Sequence, residues 1–301
     1  MNIQELINSR FGVGLAITLC RLLPTESGYR LASWLGRNLA NRKKLDLVRA
    51  LRANQWVASG CTLSSAELDR RVEQCFAHTA RCIFDLYHNL HDDEIIHQMI
   101  AVSPKNYEFL AQRQNASEGL VLGFLHMSNF DFIAQAAGMT GLKATLLAAE
   151  DPGGGGYDLQ NRLREESGLN VMTATKSAVR EAIRLLQHGG TVATGLDRPY
   201  PGLNQHPCFF GRPSNLPLLP VILALQAKVP VHVGAIMLQE DNRYHINLSE
   251  RIDMIELSNH HDELVVNYER LLVFAEAYIR RAPYQWSMTY PVWPEVLKEM
   301  P

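Results

Sequence analysis

The chain has no long apolar run. Its nearest approach, Phe11 to Leu23, is interrupted by Arg21 and falls short of the about 20 apolar residues that a bilayer crossing needs. No apolar leader with a small-residue cleavage site follows the start, and the five cysteines (Cys20, Cys61, Cys75, Cys82, Cys208) are an odd, scattered set. A disulfide framework is excluded, and a reducing, cytosolic compartment is expected. A Gly-x-Ser-x-Gly elbow is missing, as is any cysteine in a context that marks a reactive nucleophile, so direct deprotonation of an acceptor is favoured over a covalent intermediate. The glycine run Gly153 to Gly156 lacks both the Gly-Lys-Ser/Thr ending of a P-loop and the dinucleotide spacing. It reads instead as a flap, a candidate lid, because it directly follows an expected strand. Nucleic-acid motifs, repeats, low-complexity tracts and coiled coils are absent. His88, His91, Asp93 and His97 stand at facing helical offsets but supply no closed ligand set, so no metal is expected. His260-His261-Asp262 reads as the cap of the last helix.

What is present is a globular composition, 47% hydrophobic and 20% charged over 301 residues, enough for one ample α/β core. Charge is uneven. Arg10 to Arg52 carries nine basic residues against Glu26 and Asp46, a local +7 that leaves −9 on the remainder of a chain whose net charge is −2. Interleaved with Leu15, Leu19, Leu22 and Trp34, this stretch is either an interfacial segment for anionic lipid or a helical pair with a solvated basic face. Residues 1–60 are read as a helical, membrane-associating extension, broken at Pro24 and around Gly36, and residues 61–301 as a single-core domain. Ser64 and Glu67 stand at capping-box spacing and start a helix on which Cys75 and Cys82 fall on the apolar stripe.

The chain is organised around Gly119-Leu-Val-Leu-Gly-Phe-Leu-His126-Met-Ser-Asn-Phe-Asp131. An apolar run of this kind is a strand buried on both faces, and it delivers a histidine to its carboxyl end, the edge where open α/β sheets bind ligands. A helix follows, with Ser128 or Asn129 as the expected N-cap. On residues alone His126 is either a base whose imidazole Asp131 orients, or a residue that merely packs at the strand end. Thr191 to Leu196 is a second such strand, ending at Asp197-Arg198. If the two strands are parallel, His126 and Asp197 share one sheet edge; Asp197 could equally pair with Arg198 or Arg212 as plain structure. Lys143 to Ala149 is a further strand, and Val229 to Met237 pairs with Arg243 to Leu248 across the Glu240-Asp241-Asn242 turn. The expected fold is α/β: a mixed, mainly parallel sheet of six or seven strands flanked by helices.

His126-x4-Asp131 after an apolar strand is similar to the His-x4-Asp/Glu motif of glycerolipid and lipid A acyltransferases. The surrounding sequence resembles the bacterial lipid A late acyltransferase family, which takes in phosphatidylinositol mannoside acyltransferases. Further matches follow in order: Arg164-Glu-Glu-Ser-Gly168, His188-Gly-Gly-Thr-Val192 running to Gly195-Leu-Asp-Arg198, Phe209-Phe-Gly-Arg212, and Pro283-Tyr-Gln-Trp286. The resemblance spans roughly residues 40 to 293. It implies an O-acyltransferase that moves a fatty acyl chain from acyl carrier protein or acyl-CoA to a hydroxyl of a membrane glycolipid at the cytoplasmic face of the membrane, with no further cofactor. It implies His126 as base and Asp131 as its orienting partner, with Arg164, Asp197, Arg198 and Asn129 on the substrate side. The backbone at Phe130 or Phe210-Gly211 would be the source of an oxyanion donor. Two departures matter. Family members often begin with a longer apolar anchor, so attachment here is expected to be peripheral or monotopic. After Gln285-Trp286 this chain lacks the second aromatic and basic pair of lipid A enzymes, which opens the acceptor to other glycolipids. A lysophospholipid acyltransferase is the rival, although Gly195-Leu-Asp-Arg198 is a poor version of its Glu-Gly-Thr-Arg strand end; a non-catalytic lipid-binding protein of the same fold is the other.

Overall fold

A computed structural model describes residues 10–90, 92–148, 155–200 and 202–301. Its first four helices are α1 (Arg10–Leu22), α2 (Thr25–Ala40), α3 (Asp46–Ala58) and α4 (Ser65–His88). Pro24 separates the first two, as expected. The expected break near Gly36 does not occur. Gly28, Ala32, Gly36 and Ala40 recur every fourth residue along α2 and make a small-residue stripe that lies against α4. A Cβ at Gly36 would sit 2.4 Å from the Ala77 backbone nitrogen, so this glycine permits close packing and does not interrupt the helix. The Ser64–Glu67 capping box starts α4, and Cys75 and Cys82 are buried on it. Among the described residues no helix is long and apolar enough to cross a membrane.

The remaining elements in order are α5 (Asp93–Met99), β1 (Ile100–Val102), α6 (Pro104–Gln112), β2 (Leu120–Phe124), α7 (Phe132–Thr140), β3 (Ala144–Ala148), α8 (Gly155–Glu166), β4 (Asn170–Thr173), α9 (Lys176–Gln187), β5 (Thr191–Gly195), the hairpin β6 (Cys208–Phe209) and β7 (Arg212–Pro213), α10 (Leu219–Ala227), β8 (Val231–Leu238), β9 (Tyr244–Leu248) and α11 (His260–Arg281). Seven strands form one mixed sheet in the order β1-β9-β8-β2-β5-β3-β4, in which β8, β2, β5, β3 and β4 are parallel and β9 and β1 run the other way. This is the expected α/β architecture. The edge strands β1 and β4 are too short to show an alternation in sequence. Of the glycine run expected as a lid, Gly153 and Gly154 lie outside the described residues, while Gly155 and Gly156 open α8.

The pleat divides the core. Val121, Val192, Val231 and Val233 face α9, α10 and α11 on one side, where Ala53 and Val57 of α3 join them; Leu120, Leu122 and Ala193 face α6 and α7 on the other. The chain then returns to α3. Fully buried Asn54 accepts from the Val292 N–H at 3.0 Å and donates to the Met288 and Tyr290 carbonyls, while Gln55 donates to the carbonyls of Pro283 and Trp286. A strap of residues 283–293 is thereby tied across the carboxyl end of the sheet.

Candidate active site

β2 and β5 are parallel neighbours with Phe124 opposite Gly195, so the residues that follow each strand emerge side by side. Two residues after β2 stands His126, and two after β5 stands Asp197. The imidazole Nδ1 lies 2.6 Å from Asp197 Oδ1, and the His126 backbone N–H is shared between both carboxylate oxygens at 3.1 Å. A third donor, the Trp286 indole N–H, reaches Oδ2 at 2.7 Å. Asp197 is fully buried and its carboxylate can only accept, so Nδ1 carries the imidazole proton and Nε2 holds the lone pair. The ring keeps 26% of its side-chain surface open, with the Phe130 ring edge-on at 4.9 Å. Gly195 gives the ring its floor: a Cβ there would lie 3.1 Å from His126 Cε1. Next in chain, the Leu196 carbonyl accepts from the Tyr268 hydroxyl, whose pKa is raised well above its ordinary value by burial and then by the charge of Asp197.

Asp131 does something else. Spacing along the chain suggested it as the partner of His126, but its Oδ1 accepts from Arg164 Nε at 3.1 Å and Nη2 at 2.7 Å. The turn carries its carboxylate towards α8, whereas Asp197, 71 residues from His126, arrives through sheet register. Arg164 is accordingly held by Asp131 and by Asn161, 3.2 Å from Nη1. Arg198 turns outward to the Tyr290 hydroxyl at 2.9 Å and stacks over that ring. Arg212 pairs with Glu299. The alternatives weighed for Asp197 are thus occupied elsewhere.

Neither expected N-cap caps α7. Ser128 has a positive φ of 49°, and its hydroxyl meets His78 Nε2 of α4 at 2.9 Å. Asn129, 4% exposed, donates its amide to the Cys82 carbonyl. Both residues pin the turn to α4 in place of lining the crevice. Of the two backbone candidates for an oxyanion donor, the Phe210 N–H is taken by Glu276 Oε1 at 2.5 Å, whereas among the described residues the Phe130 N–H has no partner. His88, part of the rejected metal cluster, bonds the Cys20 carbonyl and stacks on Phe84; His91 lies outside the described residues. The last helix is capped by Asn259, whose side chain accepts from the His261 N–H, and not by the histidines. The strap from Pro283 to Ser287 is the feature that sequence reasoning missed. Its resemblance marked it, but nothing in its composition tells that the Ser128 N–H donates to the Gln285 carbonyl at 2.7 Å or that Met127 bridges to Trp286.

The family model for bacterial lipid A biosynthesis acyltransferases matches residues 6–294, nearly the whole chain. No curated protein matches it.

Proposed function

The chain belongs to the bacterial lipid A biosynthesis acyltransferase family, is therefore an acyltransferase, and we propose that it moves a fatty acyl chain from an acyl carrier protein or coenzyme A thioester to a hydroxyl of a membrane glycolipid, lipid A-like or phosphatidylinositol mannoside-like. The observation that carries this reading is a partly exposed imidazole at a sheet edge, held by a buried carboxylate with its free nitrogen outward. Nε2 of His126 takes the acceptor proton as the hydroxyl oxygen attacks the thioester carbonyl carbon. The tetrahedral oxyanion then collapses, the carbon–sulfur bond breaks, and the imidazolium returns its proton to the departing sulfur. Asp197, which accepts from three donors, stabilises the imidazolium without taking a proton. The Phe130 N–H is the donor we assign to the oxyanion. Asp131 and Arg164 brace the far wall of the turn, so that Arg164 reaches an anionic substrate group only by leaving Asp131.

Attachment to the membrane is proposed through α1 and α2. Leu15, Leu19, Leu22, Leu31, Trp34 and Leu35 are 40–76% exposed on these two helices, beside exposed Arg21, Arg30 and Arg37. Such a face suits the anionic, cytoplasmic leaflet. α1 also packs against α8, which carries Arg164, so a lipid held by this face would stand beside the site.

The test offers the purified protein matched palmitoyl-carrier-protein and palmitoyl-CoA donors with a polar lipid extract, and reads products by mass spectrometry. His126→Ala and Asp197→Asn should lower transfer by a factor of about 10² to 10⁴. Asp131→Asn should act through Arg164 and leave a larger remainder. No transfer by the wild type with either donor, or full activity in folded His126→Ala, would end this reading.

A further inference from the structure

Trp286 and Trp293 lie in one aromatic cluster with Phe209 and Phe210, ring centroids 6.5 Å apart, and both are fully buried. Packing treats them alike; hydrogen bonding does not. The Trp293 indole N–H has no partner among the described residues, whereas that of Trp286 points at Asp197 Oδ2 from 2.7 Å. A buried indole N–H is commonly matched for its own sake. Here the matching is to the one carboxylate that holds His126, and several contacts fix its aim. Gln285 exchanges two hydrogen bonds with the Leu238 backbone, the Trp286 carbonyl accepts from Gln55, and the Ser287 N–H donates to the His126 carbonyl at 3.4 Å.

We propose that Trp286 is a positioning residue for acyl transfer, acting through Asp197, a role that rests on the reading of His126 as the base. Without its N–H, Oδ2 keeps only its share of the His126 amide. The carboxylate then gains proton affinity and is free to rotate away from Nδ1. Both changes act on the imidazole: a more basic carboxylate favours imidazolium, so the ring is protonated at higher pH and ceases to be a base there. The other groups around the carboxylate do not replace the lost donor. Tyr268 of α11 is engaged by the Leu196 carbonyl, and Arg198 faces Tyr290.

The experiment replaces each tryptophan in turn by 3-benzothienylalanine, which keeps the bicyclic shape and exchanges N–H for sulfur. At position 286 kcat should fall by about tenfold, the loss expected for one hydrogen bond to a charged group. KM for the donor should stay near wild type, and the acidic limb of the kcat profile should move up by about half a pH unit. At position 293 the same exchange deletes an unpartnered N–H and should change none of these. In parallel, the indole ¹H–¹⁵N resonances of the four tryptophans are recorded, with that of Trp286 assigned by its absence in the substituted protein. It should lie downfield of the others and move upfield in Asp197→Asn. Matching kinetics for the two substituted proteins, or a Trp286 resonance indifferent to Asp197→Asn, overturns the proposal. The resonance needs no turnover, so a wild type that transfers nothing would remove the proposed reaction while the indole contact is judged on its own.

Discussion

Two histidines of opposite character hold the turn after β2. His126 is open on one side, while His78 is 7% exposed and bonds Ser128 within the protein. Burial first, and then the charge of Arg81, brings the His78 pKa down from 6.5 to about 4. Within that window the unfolded chain holds the proton and the folded one does not, so stability is full above pH 6.5 and is lost on acidification. The loss approaches about 3 kcal/mol by the lower end. His78→Asn should flatten this part of the profile, read by urea unfolding at pH 7 and pH 5. An unchanged difference between those two pH values in the variant would remove His78 as its source. The same turn shows where single residues are legible in a sequence. That His126 is delivered to a strand end follows from the apolar run before it. Its partner does not follow from spacing, because five residues of turn can point anywhere, whereas two strands in register force their exits together. Asp197 could be placed at the right edge from its strand, but its contact with His126 required the order of the sheet.

Helix caps and breaks were read from local chemistry, and they succeed where chemistry is local. The capping box at Ser64 needs only four residues, and Pro24 cannot continue a helix. Gly36 misled because glycine has two uses, flexibility and thinness, and only a neighbouring helix distinguishes them. α1 and α2 supply a direct comparison. A Cβ at Gly14 meets no described atom within 4 Å, so Gly14→Ala should stabilise the protein by about 1 kcal/mol, the ordinary gain of alanine over glycine in a helix. At Gly36 the same change presses on the Ala77 backbone and should lower the melting temperature, because backbone of α4 must retreat. Thermal melts of the two variants should move in opposite directions. Shifts of the same sign would mean that close approach is not what Gly36 provides. The short strands β1 and β4 escaped notice for a related reason: each exists through its neighbour more than through its own pattern.

At the scale of the molecule, one end of the chain presents an apolar and basic surface while the rest carries the negative balance. Sedimentation with vesicles rich in anionic lipid should bring down the wild type at low salt, less at high salt, and Leu31→Glu/Trp34→Glu far less at either. Equal binding by the double variant would place lipid contact elsewhere. His126→Ala should bind vesicles as the wild type does, which separates attachment from chemistry. The division read from sequence, an extension to residue 60 and a domain after it, meets a physical obstacle in α3, because Asn54 and Gln55 hold the strap that ends beside the site. We therefore place the removable part before Asp46. Trimming to that point should leave a folded protein that no longer sediments with vesicles. The strap also sets an order in time. A chain still on the ribosome makes β2 and β5, and with them His126 and Asp197, before it makes the strap that carries the aligning indole. Until the strap emerges, a growing chain holds its base and its carboxylate without the clamp that joins them.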